Sequence, residues 1–567
     1  MNNQASIVVL VLPELFQLVH VHGLLIMAMF QQAYTGLPLH IGISSAQGQT
    51  QTRITEADSA SESHKVQAPL HNHNTSPVFF GLTKLYNKNL KFKAYPGFIV
   101  TPVLQTEVVM KLMILCLICS AYLYLNTKTY NHAYGLIWDD LGRFMSVFLT
   151  LSACCALGLS VQAGVRFGRY EFTLILWLSL LGMLCLIKSY SFLAFYLSIE
   201  LQSLSFYMLA AMRSRNEASA EAGLKYFILS AFSSAMLLLG MTLVYSTLGT
   251  MDFADLSLAL NHFDLQNRGL SPLSVSLGLG CICVSLLFKL AAAPFHAWIA
   301  DVYEGSHTSI TAWFAITSKI AVTCALIRLN TIQNLTSLLT FASLLSLIVG
   351  SLSAARQVKL KRLLAFSAVA NAGWFLLALN AGQWQLMVVH LIVYTMLSVN
   401  LFSIFILPLA RTHPGLAYRS RLLRLSGAKD ALKDHGADGS AIKYISDLHQ
   451  MYRVNPGLAL SLTLSMFSLA GIPPLAGFYS KYLILNALTQ NENYNVLALA
   501  LGVAVLSAFY YLRLIKTLYF SDPGLKSSWW FTVKPTPWNA YLASLSCGLT
   551  LVWFIKPAYF CVWLSLI

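Results

Sequence analysis

Apolar residues fill long, nearly uninterrupted stretches of this chain, and polar residues gather between them. A helix needs roughly 20 apolar residues to cross a hydrocarbon layer about 30 Å thick, because every backbone N–H and C=O must be satisfied inside the helix where water is absent. Runs of that kind begin near residues 7, 97, 142, 171, 191, 220, 272, 309, 334, 363, 384, 457, 495 and 540, which predicts about 14 membrane-spanning helices. The short alternating segments that build a closed β-barrel are not present. The expected fold class is therefore an all-α, polytopic transmembrane bundle. Two segments interrupt the pattern. Residues 34–95 are rich in Ser, Thr, Gln, His and Lys and read as a loop-like insert; residues 411–456 are basic, and within them Leu422 to Lys433 fits an amphipathic helix lying on the membrane surface. The first run, Ser6 to Phe30, is too long for a signal-peptide core and reads as the first span.

Composition agrees with this pattern. Of 567 residues, 57% are hydrophobic and 10% charged, which excludes a water-soluble globule. The net charge of +15 raises the question of nucleic acid, but the 37 Lys and Arg residues form no single solvated stripe with interleaved aromatics, so no nucleic-acid partner is expected. Their distribution argues topology instead. The loops after the fifth, ninth, eleventh and thirteenth runs carry Arg213 and Arg215; Arg356, Lys359, Lys361 and Arg362; Arg411 to Lys433; and Lys516, Lys526 and Lys534. Alternate loops such as 250–268 and 489–495 are acidic or nearly uncharged. The positive-inside rule puts the basic loops and the 34–95 insert on the matrix or cytoplasmic side and both termini on the opposite face. The 10 cysteines, including Cys116 and Cys119 inside a span, read as small buried hydrophobes. His64, His71 and His73 belong to the solvated insert. Without a Walker A loop, a dinucleotide-binding glycine loop or a cysteine cluster, neither a cofactor nor a metal site is expected in this chain.

Ionisable side chains inside the runs are the candidate functional residues, since a charge at mid-membrane costs about 2.5–3.5 kcal/mol on insertion scales. Glu200, Lys289, Lys319 and Lys481 all lie deep in apolar sequence. Lys225 sits a few residues into its helix, and Lys188, near a helix end, reads as a side chain that snorkels to the interface. Burial makes a charged lysine costly and a nearby carboxylate offsets that cost, so moving a carboxylate can load or unload a proton. Glu200 is the deep carboxylate available as a partner. Pro294 follows Lys289, and Pro473-Pro474, flanked by Gly471 and Gly477, precede Lys481, so backbone hydrogen bonds are lost beside both lysines. These breaks lie five helices apart, the spacing of a duplicated unit inverted across the membrane. His296, beside the first break, reads equally as a proton relay or as a satisfied core histidine.

Several strings carry a family resemblance: Val11-Leu-Pro-Glu-Leu15, Ser198-Ile-Glu200-Leu-Gln-Ser-Leu, Glu221-Ala-Gly-Leu-Lys225-Tyr, Phe288-Lys289 through Pro294-Phe-His296, Asp301-Val-Tyr-Glu-Gly305, Lys361-Arg-Leu-Leu-Ala-Phe-Ser367, Lys443-Tyr-Ile-Ser-Asp-Leu448 and Gly471-Ile-Pro-Pro-Leu-Ala-Gly-Phe478. Over most of its length the chain resembles subunit 2 of the NADH dehydrogenases, the antiporter-like subunits of respiratory complex I. The resemblance implies two inverted five-helix repeats at 169–331 and 332–520, the second carrying the basic loop 411–456. These follow a first helix at 1–33, the 34–95 insert and further N-terminal helices at 96–168, and precede a C-terminal loop and helix at 521–567. It also implies a subunit of NADH:ubiquinone reductase in the mitochondrial inner membrane that moves protons. Glu200 and Lys225 would form a coupling pair, Lys289 and Lys319 a central axis, and Lys481 an exit-side group. NADH, FMN, iron–sulfur clusters and ubiquinone would belong to other subunits. Neighbouring antiporter-like subunits, small accessory subunits and lipids such as cardiolipin would be partners.

Two places depart from the family's pattern. Gly305-Ser-His-Thr-Ser309 lacks the usual prolines before the lysine of the eighth helix, and Asn371 stands where the family usually has a histidine. The rival reading is a subunit of a multi-subunit cation/proton antiporter, which shares the buried Glu and Lys pattern.

Overall fold

The computed structural model describes Pro13 and Gln17, and then residues 102–555 except 127–129, 134, 168–169, 214–215, 267–272, 334, 407–441, 450 and 521–536. The insert at 34–95, the amphipathic segment Leu422 to Lys433 and most of the first run lie outside the described residues. Gln17, within that first run, donates its Nε2 to Ser120 Oγ at 3.2 Å, a buried contact with the second run.

Each remaining run becomes helix. In chain order these are Pro102–Asn126, Asp140–Phe167, Tyr170–Lys188, Phe192–Ala210, Glu217–Leu248, Leu273–Leu290, Thr308–Ile316 continued by Ser318–Ile332, Thr336–Arg356, Leu360–Asn380, Trp384–Phe405, Pro456–Ala470, Ala476–Gln490, Tyr494–Tyr519 and Pro537–Ile555. Among the described residues, 11 helices are long and apolar enough to cross a membrane, counting Thr308–Ile332 as one. The ends follow local chemistry. Ser191 accepts from the Ala194 N–H and Asn216 from that of Ala218, while Asn455 precedes a proline in the first helical turn. Among the described residues, several elements were not legible in the hydropathy pattern: the hairpin Tyr130–Ala133 with Leu136–Trp138, the short helices Phe253–Gln266 and Ala297–Gly305, and the single turns Ile445–Leu448 and Met451–Val454.

Loop pairing supports the alternation inferred from charge. On the basic side, the Leu360 N–H donates to the Lys443 carbonyl and the Ile445 N–H to that of Val358, both at 3.0 Å, joining the ninth and eleventh loops. Arg513, near the end of the thirteenth run, donates to the Ala355 carbonyl at 3.1 Å. At the other end, the Phe192 N–H donates to the Met251 carbonyl, the Tyr190 N–H to that of Gly135, and Asn491 to that of Ala381. Loops that should share a face do so.

The helices Thr308–Ile332, Leu360–Asn380 and Trp384–Phe405 are buried on nearly every side, whereas Glu217–Leu248 and Tyr494–Tyr519 leave large apolar side chains such as Phe232, Val505 and Phe509 exposed. An apolar helix buried all round belongs at the centre, and one with an outward apolar face belongs at the lipid or subunit boundary. Lys188 corrects an expectation. Instead of snorkelling, it is 3% exposed, with its ammonium 4.5 Å from the centroid of the Tyr124 ring and near that of Trp138 in the hairpin.

Candidate functional site

Both helix breaks are built to one plan. The first half-helix ends at Leu290 or Ala470 and is followed by a residue in the left-handed region, Ala291 with φ 64° or Gly471 with φ 83°. A cis proline then follows at the same step, Pro294 or Pro474. Chain direction resumes as Ala297–Gly305 or Ala476–Gln490. A helix interrupted in this way exposes carbonyls that no following turn can satisfy. In the first break the indole of Trp298 donates to the Phe288 carbonyl at 3.0 Å. In the second the Lys481 ammonium takes that role, at 2.6 Å from the Leu469 carbonyl and 3.4 Å from that of Ala470.

Gly471 serves a second purpose there, since a Cβ on it would meet Lys481 Cδ at 3.2 Å and Nζ at 3.5 Å. At Gly477 the two halves pack so closely that a Cβ would stand 1.8 Å from the Ser468 carbonyl oxygen. The backbone instead uses that approach for a bond, the Gly477 N–H donating to Ser468 Oγ at 3.0 Å.

Lys289 occupies the last turn of Leu273–Leu290, just ahead of the first break, and donates to Ser230 Oγ on Glu217–Leu248. Lys319 follows directly on the discontinuity at Thr317, in the first turn of Ser318–Ile332. It is 3% exposed, donates to Tyr394 Oη at 2.9 Å and the Ala368 carbonyl at 3.3 Å, and lies 4.1 Å from the Tyr394 ring centroid. Lys481 is 6% exposed and lies 5.6 Å from the ring of Trp374. Among the described residues, Lys319 and Lys481 are thus held by carbonyls, a phenol and aromatic faces rather than by carboxylates.

Glu200 is half-buried on Phe192–Ala210. Ser203 Oγ donates to its Oε2 at 3.3 Å, Oε1 is buried without a hydrogen-bond partner among the described residues, and its charge is within reach of Lys289. The two members of the pair implied by the resemblance, Glu200 and Lys225, are not in contact in this arrangement. The Lys225 ammonium binds Glu221 at 2.6 Å and Asp301 at 2.9 Å. Asp301 also accepts from Arg362 at 2.9 Å, and Glu304 binds both Lys359 and Arg362. Three cations and three carboxylates therefore form one partly exposed cluster on the basic side. It ties the short helix after the first break to the starts of Glu217–Leu248 and Leu360–Asn380. Sequence reading had Asp301 and Glu304 within a family string but gave them no role. Their spacing, one turn apart on a short helix, was the available signal.

His296 lies at the first break with its ring edge-on to Phe366, 6.4 Å between centroids. Its Nδ1 is buried without a hydrogen-bond partner among the described residues, and the Pro294 backbone lies near the ring. The lysines hold other partners. Asn371 donates to the Ser367 carbonyl at 2.8 Å and neighbours Tyr511. A buried histidine was missed altogether. His390, 3% exposed on Trp384–Phe405, places Nδ1 3.0 Å from Ser480 Oγ, beside Lys481 in sequence. A lone histidine within a 22-residue apolar helix was a readable signal.

Residues 189–507 match the family model for the membrane region of NADH:quinone oxidoreductases and Mrp antiporters. The NADH-ubiquinone oxidoreductase chain 2 of Marchantia polymorpha is 35% identical over 410 residues, covering 71% of this chain and 77% of its own length. NADH-quinone oxidoreductase subunit N of Beijerinckia indica is 33% identical over 451 residues, covering 77% and 86%. The chain belongs to the NADH-ubiquinone oxidoreductase chain 2/subunit N family. A chain of respiratory complex I from Thermus thermophilus, solved with bound aureothin, has the same fold: TM-score 0.64 at 28% identity, covering 80% of this chain and 96% of that one. The residues matched by the family model, 189–507, take in both breaks, Glu200, the four lysines, His296 and His390, while the 34–95 insert and the C-terminal helix fall outside that match.

Proposed function

We propose that this chain is a membrane-arm subunit of an NADH:ubiquinone oxidoreductase and translocates protons through the Glu200, Lys289, Lys319 and Lys481 axis, coupled to electron transfer in other subunits. Family membership supports the enzyme. One structural observation carries the chemistry: Lys319 and Lys481 are buried deep in the bundle with, among the described residues, only neutral groups binding their ammonium groups. An ammonium without a carboxylate partner is costly to keep charged in such a place, so small changes in nearby charge suffice to load or unload it. Hydroxyls and carbonyls hold the nitrogen in place in either state. Glu200 supplies the movable charge at one end, acting on Lys289. Lys225 is anchored by Asp301 and Glu221 in the arrangement seen, and releasing it toward Glu200 would transmit a change from the basic face to the buried axis. His296, at the break beside Lys289, is placed to serve the path there.

On this reading NADH, FMN, iron–sulfur clusters and ubiquinone are handled by other subunits. The protein resides in the mitochondrial inner membrane with its basic loops on the matrix side and both termini facing the intermembrane space. Neighbouring antiporter-like subunits and small accessory subunits cover its outer faces, and the basic loops meet anionic lipids such as cardiolipin.

The test of the assignment is native electrophoresis of mildly solubilised membranes, stained in-gel for NADH dehydrogenase activity, with mass spectrometry of the active band. Peptides of this chain are expected to peak there. Migration in a separate complex without that activity would favour a cation/proton antiporter, the other branch of the matched family. For the chemistry, a fully assembled Lys289→Met variant is expected to show a lower proton-to-electron ratio or slower coupled turnover; an unchanged ratio together with unchanged electron transfer would remove Lys289 from the path.

A further inference from the structure

We infer that His390 is the proton-carrying group between Lys319 and Lys481. The inference rests on the proton-translocating reading above and names a group that reading does not use. Four observations converge on this ring. First, it is 3% exposed, and its Nε2 is buried without a hydrogen-bond partner among the described residues. A buried nitrogen so placed calls for a partner, which a water or a migrating proton can supply. Second, Ser480 Oγ donates to the Gly477 carbonyl at 3.1 Å while lying 3.0 Å from His390 Nδ1. With the hydroxyl proton committed to that carbonyl, Nδ1 is left to donate, and Nε2 presents a bare lone pair.

Third, the ring stands between the two lysines. His390 and Tyr394 lie one turn apart on the same helix face; Tyr394 binds the Lys319 ammonium at 2.9 Å, and Phe375 packs against both rings, at 5.2 Å and 5.7 Å. Trp374 packs against His390 at 6.5 Å and against the Lys481 ammonium at 5.6 Å. The positive charges of both lysines reach the imidazole, so the ring can hold a proton only while one of the two ammonium groups has given one up. Fourth, Trp374 and Phe375 follow Asn371 within one turn, so His390 faces the same helix on which Asn371 has no proton to exchange. In the transfer itself, Nε2 accepts the proton that one ammonium gives up, leaving a neutral amine and an imidazolium. The same proton then passes to the neutral amine of the other lysine, and the ring returns to its starting form.

The test uses the assembled complex in closed membrane vesicles, measuring NADH oxidation and proton uptake together. His390→Gln is expected to lower coupled turnover at least tenfold, and adding Asn371→His to restore a substantial part of it, which a purely structural role for His390 would not produce. Normal turnover and proton uptake in His390→Gln, with Lys319→Ala impaired, would overturn the inference and leave the lysine path standing. Normal behaviour of both variants would overturn the path itself. If His390→Gln does not assemble, Ser480→Ala decides: by freeing Nδ1 it is expected to slow coupled turnover severalfold, and unchanged turnover would sink the inference.

Discussion

The Lys481 ammonium donates to the Leu469 carbonyl at 2.6 Å, reaching back across a helix break to the last turn of the preceding half-helix. The carbonyl end of a helix carries partial negative charge, so the break supplies a site for the cation without a carboxylate. Lys481 falls at the same step from Gly471 as Asp301 does from Ala291. The two breaks therefore place a cation in the interior in one case and an anion at the basic face in the other.

Lys481→Gln keeps a donor for the Leu469 carbonyl but cannot carry a proton. The complex is expected to assemble with coupled turnover at least tenfold lower, about 1.4 kcal/mol in barrier. Lys481→Arg is expected to be similarly impaired, because a guanidinium holds its proton at every accessible pH. Proton uptake per NADH oxidised, read in vesicles, checks both; normal values in either would reduce Lys481 to a helix cap.

The cluster of Glu221, Asp301 and Glu304 with Lys225, Lys359 and Arg362 is partly exposed, so salt screens it. Rising ionic strength is expected to lower the thermal stability of the native complex slightly. In an Asp301→Asn/Glu304→Gln variant the three cations repel one another, and the sign of the salt dependence should reverse. Thermal denaturation across a salt series measures this, and parallel slopes would show that the cluster contributes nothing.

Gly477→Ala drives a methyl group into the Ser468 carbonyl, a backbone atom that cannot move without shifting a half-helix. A cost of about 3 kcal/mol, at the upper end for overpacking, is expected, with little assembled complex. Gly502→Ala meets nothing within 4 Å and should assemble normally. Comparing the two on native gels separates close packing from a general intolerance of alanine.

Arg328, 6% exposed, binds Asp139 at 2.8 Å and the Ile187 carbonyl at 3.0 Å. Asp139→Ala leaves a buried guanidinium without its carboxylate, which costs about 3 kcal/mol. Arg328→Met leaves the aspartate, one-third exposed, open to water and should be milder. Accumulation of the complex in the two variants gives the order; the reverse order would contradict the burial argument.

Much of this was legible in one dimension. Run length fixed the spans, since backbone hydrogen bonding in lipid leaves a helix few alternatives, and the charge of alternate loops gave faces that the pairing of Val358 with Ile445 and of Ala381 with Asn491 supports. Glu200, Lys289, Lys319 and Lys481 stood out because an ion in apolar sequence is expensive wherever the chain folds. His390 carried the same signal more faintly, as histidine is cheaper to bury in its neutral form.

Partners, by contrast, could not be read along the chain. Lys225 meets Asp301 from 76 positions away, Lys319 meets Tyr394 from 75, and His390 meets Ser480 from 90. Hydropathy reports only what each segment prefers as its solvent, and that preference is local. Sequence by itself determined that this protein crosses a membrane many times and carries ions where they cost energy. Which of those ions face one another, and which carbonyls and rings hold them, was decided by helix packing, because contacts between distant segments depend on crossing geometry that no single helix encodes.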